Sequence, residues 1–448
     1  MSRAGMNHAG MNRAPLSQRL ADALARRGVH YGWIVAAVTF LTALSSSAAL
    51  GLPGALLQPL SREFGWSVDQ ISTALALRFA LFGLMGPFSA ILMQRFGLRN
   101  VMVAALGLIA AGLACVRQVT AFWQLVLLLG VVLGVGSGMT ALVLNAVVSN
   151  RWFERRRGLV MGLLTASSAT GQLVFLPFGT WLIEHGGWRM ALLPVMASCV
   201  LVGVAAFLLV RDHPQELGLH PFGGEAAAPP VVPPRLPVSV MTPFRTLAAV
   251  RGDRVFWVLF GSFFICGLST NGLIQSHFIS LCGDAGLGAI PAASVLAMMG
   301  AFDLVGTILS GWLSDRYDSR YLLCWYYALR GLSLAWLPSA DFTLTGLSLF
   351  AIFYGLDWIA TVPPTVRLAA QNYGKERAPM VFGWVFAGHQ LGAAVAAYGA
   401  GYIRTVSFTY SPAVYVAAGA CGVAALMVLL ARRRKADTAA SAQAAGVA

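Results

Sequence analysis

Charge is what this chain has least of. Asp, Glu, Lys and Arg make up 11% of its 448 residues, and the acids number only 17. With 58% hydrophobic residues and a mean hydropathy of +0.71, that excludes both a solvated disordered chain and an ordinary soluble domain. Cysteine is sparse too. Cys115, Cys199, Cys266, Cys282, Cys324 and Cys421 stand singly within or beside apolar runs, without paired or metal-ligand spacing, so no disulfide framework or metal site is implied. No loop carries a phosphate-binding glycine motif, and no catalytic triad stands out, which points away from an enzyme and from any cofactor.

What the chain has is apolar runs. Twelve recur, at about 33–56, 69–93, 101–117, 121–149, 158–183, 188–210, 255–281, 290–313, 321–338, 342–370, 379–403 and 412–431. Runs of this length cross a hydrocarbon core of about 30 Å as helices. They predict an all-α membrane protein with twelve transmembrane helices.

The net charge of +14 resembles a nucleic-acid signal until the basic residues are placed. Of 31 Lys and Arg, only Arg62, Arg117, Arg189 and Arg404 lie in one alternate set of loops, and Arg78, Arg330 and Arg367 lie within spans. The rest fall in the other loops and both tails. That asymmetry predicts cytoplasmic termini in a bacterial-type inner membrane. It implies contact with anionic lipid and no nucleic-acid partner.

Residues 1–30 form a tail with five Arg and no apolar core, so no cleavable signal peptide is expected. Its Leu16, Leu20 and Leu24 repeat suits either a short interfacial helix or a disordered tail. Residues 31–210 and 255–431 hold six spans each, joined by a polar stretch at 211–254 whose PPVVPPRLP segment favours an extended linker. Residues 432–448 form a second, Ala-rich tail. An internal repeat supports the division: Arg95 and Arg99 recur as Arg316 and Arg320, and Arg156, Gly162 and Gly171 as Arg377, Gly383 and Gly392, each pair 221 residues apart (316 − 95, 377 − 156). Parallel six-helix repeats related by an axis along the membrane normal follow.

The loop block Gly311-Trp-Leu-Ser-Asp315-Arg316-Tyr-Asp-Ser-Arg320 resembles the G-x-L-x-D-R-x-G-x-R motif of the major facilitator superfamily, with Asp318 in place of Gly. The first-half copy keeps Arg95 and Arg99 but has Ala90 for the leading Gly and Gln94 for the acid. The resemblance implies two pseudo-symmetric six-helix bundles and a role for Gly311, Asp315, Arg316, Arg320, Arg95 and Arg99 in latching the cytoplasmic side. Tyr31 to Val35, Glu63-Phe-Gly-Trp66, Trp152-Phe153 with Arg155 to Gly158, and Gly187-Trp-Arg189 are similar to the monocarboxylate porter and oxalate/formate antiporter branch. Asp303 matches the acid of an Asp-x-x-x-Arg pattern in the eighth span of eukaryotic monocarboxylate porters, with Thr307 at the Arg position.

Arg78, Asp303, Arg330, Asp357 and His389 lie well inside the membrane, where ionisable groups are costly and face partners or cavities. Asp303 and Arg330, on a helical hairpin, reach similar depth, so they are candidates for a pair. Arg78 has no acid in its own half, and its fork suits an anionic substrate; a structural Arg bonded to helix carbonyls or to a second-half residue is the alternative. The resemblance sets the second and eleventh spans face to face, which brings His389 and Gln390 towards Arg78. His389 is equally readable as a neutral packing residue. The resemblance also puts Arg330 outside the cavity, where it braces Asp303 and Asp357 in a network that either couples protons or is permanent. Gln172, Asn271 and Trp358 are further cavity candidates, with packing their commoner role. Arg367, near a span end, reads as snorkelling to headgroups.

These residues together predict a monomeric secondary transporter of a small organic anion, a monocarboxylate, working by alternating access with a proton or an exchanged anion. An exporter of amphipathic or cationic compounds and a non-transporting sensor on the same fold are the alternatives.

Overall fold

The structure is a computed structural model, described over residues 15–140, 142–224, 239 and 241–431. Ten of its helices are long and apolar enough to cross a membrane. In chain order the spans are Gly32–Phe64, Val68–Phe96, Leu98–Val116, Phe122–Trp152, Arg157–Gly186, Trp188–Leu209, Arg254–Asp284, Ala289–Arg316, Ser319–Trp336, Leu344–Gly374, Arg377–Ser407 and Ser411–Leu430; the fifth and ninth complete the twelve. The first span runs further than its apolar pattern, because Leu57 and Leu60 bury in the first-half core beside Leu75 and Trp188. A capping box starts the second: the Ser67 amide donates to Gln70 Oε1 at 3.0 Å, satisfying an orphan helix donor.

The repeat reappears as packing. A Cβ on Gly134 would meet the backbone of Arg78, and one on Gly355 the backbone of Met299; both glycines and both partners are 221 residues apart (355 − 134, 299 − 78). Gly171 lies against Leu44 in the same way that Gly392 lies against Phe264. Glycine lets these helix pairs approach backbone to backbone.

Residues 15–30, 211–224 and 241–253 mark one face, called here the linker side. Leu16–Ala25 is a helix, with Ala21 buried and Leu20 and Leu24 packed on the cluster around Tyr31, Trp152 and Phe153. The near part of the linker is folded rather than extended. Pro214–Leu217 forms a short 3-10 turn, the Phe222 carbonyl accepts from the Glu154 and Arg155 amides, and Thr242–Val250 is a helix. The PPVVPPRLP segment and the tail from 432 lie outside the described residues.

The motif loops differ between halves. Asp315 pairs with Arg367 at 3.1 Å, and Arg367 also donates to the Ser314 carbonyl, so the loop holds it. Asp318 caps the ninth span by accepting from the Arg320 amide and grips the Arg320 guanidinium at 2.7 Å, while Arg316 lies over Trp312. In the first half Asp212 supplies an acid that the motif lacks, accepting from the Arg99 amide at 3.0 Å; Arg95 lies over Phe96.

On the face opposite the linker, the halves touch. The Asp69 carboxylate accepts from Thr405 Oγ1 at 3.0 Å, and Gly401 closes on Ser72. At the linker ends of the fifth and eighth spans, Gly158, Gly162 and Gly311 have no neighbour within 4 Å of where a Cβ would sit.

Candidate functional site

Between the halves lies a central cavity of about 160 Å³. Ser46, Ser137, Thr140 and Asn145 give the first-half wall its hydroxyl and amide groups, and Cys266, Thr270, Asn271 and Gln275 come from the seventh span. That span is wound as a π-helix over Leu268–Gln275, and Ser276 Oγ donates to the Asn271 carbonyl at 2.8 Å. Such widened turns re-aim side chains and recur at functional sites. Phe79, Phe82, Phe263, Trp358 and Phe386 line the rest, and no Asp, Glu, Lys or Arg is among the lining residues described.

Asn271, Trp358, His389 and Gln390 therefore sit where the sequence reading places them. The His389 ring lies 5.1 Å from that of Phe263 and 5.9 Å from that of Phe386, and its Nδ1 is buried without a hydrogen-bond partner. Gln390 packs on Gly83 of the second span, with its Oε1 also buried and unpartnered. The Gln172 side chain falls outside the described residues.

Arg78 departs from the expectation. It is 1% exposed and lies behind the wall, its guanidinium 4.7 Å from the centre of the Phe79 ring. Its Nε and Nη1 are buried and have no hydrogen-bond partner, so the alternative of an Arg satisfied through those atoms by helix carbonyls is not what the structure holds. A buried cation without an acid is costly. By the repeat, its second-half counterpart is Met299.

The second-half charges also depart from the hairpin pairing. Arg330 Nε donates to Asp357 Oδ2 at 2.7 Å, and Asp303 instead accepts from the Ile359 amide at 2.8 Å and Thr307 Oγ1 at 3.1 Å. The reason is a break in the tenth span. Pro363 and Pro364 have no amide hydrogen to give the carbonyls four residues earlier, so the helix comes apart across 358–361. The freed groups find side chains: Arg330 Nη2 donates to the carbonyls of Asp357 and Trp358, Ser310 Oγ to that of Ala360, and Asp303 takes the Ile359 amide. Thr307, at the porters' Arg position, spends its hydroxyl on Asp303. Arg330 Nη1 also lies 2.9 Å from Cys266 Sγ, and Cys266 lines the cavity.

Cys266, Asn145, Ile359 and Thr361 are among the cavity residues that sequence reasoning missed. The Pro-Pro pair was the available signal for the turn at 358–361; nothing in the sequence distinguishes Cys266 from the other five cysteines.

The Major Facilitator Superfamily model matches residues 35–377 and 292–447. The chain belongs to that superfamily. Within it, the chain is 28% identical over 404 residues to monocarboxylate transporter 13 of Bos taurus, covering 89% of each. It is 27% identical to monocarboxylate transporter 3 of Rattus norvegicus, over 79% of this chain and 70% of that one. It is also 23% identical to an uncharacterized MFS-type transporter, YcxA, of Bacillus subtilis, over 89% and 94%. The protein is thus a multi-pass membrane transporter of this superfamily and not an enzyme.

Proposed function

We propose that this transporter moves a small organic anion, a monocarboxylate, across the bacterial inner membrane by alternating access coupled to protons. Arg78 is the observation that carries the reading: a fully buried guanidinium with unpartnered Nε and Nη1, against the ring of Phe79, which itself lines the cavity that holds His389 and Gln390. A carboxylate supplies the acceptors that it lacks. The relatives' names point the same way.

The basic loops favour a cytoplasmic linker side and cytoplasmic termini. With contacts on the far face and open space at the linker ends of the fifth and eighth spans, the conformation is then inward-facing. The Asp315–Arg367 loop serves as a latch when that side closes. Two buried carboxylates face one buried guanidinium at Asp303, Asp357 and Arg330, leaving one negative charge in excess. A proton on Asp303 balances it and loosens the carboxylate's hold on the Ile359 amide, so proton loading and the tenth-span turn at the cavity wall move together. The cation-exporter reading is disfavoured because Asp357 is paired with Arg330 and Asp303 is held by the Ile359 amide and Thr307, whereas Arg78 has no acid partner.

Uptake into proteoliposomes with an imposed inward-acid gradient tests the proposal. Labelled lactate or phenylacetate accumulating under the gradient, with no accumulation of a cationic dye, is the expected result; dye accumulation without carboxylate flux would overturn it.

A further inference from the structure

The same cavity narrows the substrate, and this step rests on the anion reading above. We infer that the substrate is an aromatic monocarboxylate bearing a hydroxyl group. Of the three cations within spans only Arg78 has no acid partner; Arg330 and Arg367 are held by Asp357 and by Asp315. A dicarboxylate would leave one charge desolvated without a partner. Rings dominate the apolar wall: Phe82 and Phe386 meet edge to face at 5.7 Å, and Trp358 closes the second-half side. At about 160 Å³ the cavity has room for roughly five waters at ~30 Å³ each, more than a three-carbon acid fills. A flat ring covers these faces with few rotatable bonds to order, and aromatic pairs gain beyond the area they bury.

The hydroxyl follows from the unpartnered acceptor. Asn145 Nδ2 donates to the Leu164 carbonyl at 3.1 Å, which fixes the amide orientation and turns Oδ1 into a buried acceptor without a donor. Asn145 lines the cavity, so a hydroxyl on the ligand completes it.

The test is calorimetric binding of 4-hydroxyphenylacetate, phenylacetate, lactate and succinate to the purified full chain, with Phe386→Leu and Arg78→Gln variants beside it. The affinities are expected to fall in that order, with at least tenfold between phenylacetate and lactate. Phe386→Leu is expected to weaken both aryl acids about tenfold and lactate by less than threefold. Lactate binding as tightly as phenylacetate, while Arg78→Gln still abolishes it, would overturn the aromatic inference and leave the anion site standing. Phenylacetate binding more tightly than its hydroxylated form would remove the hydroxyl. Carboxylates that bind equally well to Arg78→Gln, or not at all to either protein, would remove both readings.

Discussion

Arg330 and Arg78 are both fully buried cations, yet their surroundings assign them opposite duties. Arg330 is saturated: a carboxylate, two carbonyls and a sulfur take its donors. Arg330→Met should leave Asp357 buried and uncompensated, at a cost of ~3–5 kcal/mol. The double variant Arg330→Met/Asp357→Leu should recover most of that loss in a thermal melt, since no lone charge remains; no recovery would mean that the turn carbonyls, not the acid, were the main partners. Asp303→Asn keeps the Ile359 contact through its amide oxygen but cannot change charge, so uptake should lose its dependence on the proton gradient while counterflow of substrate persists. Unaltered gradient dependence would take Asp303 out of the coupling. Depth along a helix was legible here from counting residues, whereas rotation about the helix axis was not. That is why Asp303 and Arg330 were visible as neighbours in height and yet Arg330 turned to Asp357.

At the scale of elements, the apolar runs gave the spans to within a few residues except at the end of the first, because bilayer thickness sets their length and loops interrupt them cleanly. Local irregularities were harder. The π-helix at Leu268–Gln275 has no proline to announce it, while the break at 358–361 is set by Pro363 and Pro364. The folded part of the linker escaped composition because it is tied down by long-range contacts at Phe222, Phe153 and His30. His30 is one of these. Its Nε2 lies 2.9 Å from the His220 carbonyl, and burial lowers its pKa below the usual 6.5. Below pH 6.5 the unfolded chain binds the proton more readily, so this contribution to stability is present at pH 7 and declines as the pH falls. Melting between pH 7 and 5 should show that decline in the parent protein and less of it in His30→Gln; identical profiles would exclude His30. On the far face, Gly401→Leu would place a side chain on Ser72. Overpacking of ~1–3 kcal/mol should open that face, seen as faster labelling of a cysteine placed at Thr405; unchanged labelling would show that the contact is not a gate.

Across the whole molecule, two halves built on one repeat enclose a cavity whose charges break that repeat. Gly134 on Arg78 and Gly355 on Met299 are the same contact made twice, but only one copy carries a cation. The sequence showed the repeat and the lone Arg; it did not show that Phe79 lines the cavity while Arg78 does not. The most direct test takes melting temperature and carboxylate uptake from the same variant, Arg78→Met. A substrate anchor that no residue satisfies through Nε and Nη1 is a liability to the empty protein, so the variant should melt at or above the parent's temperature and transport nothing. A variant that melts lower and still takes up carboxylate would show Arg78 to be a structural residue and would contradict the anion site.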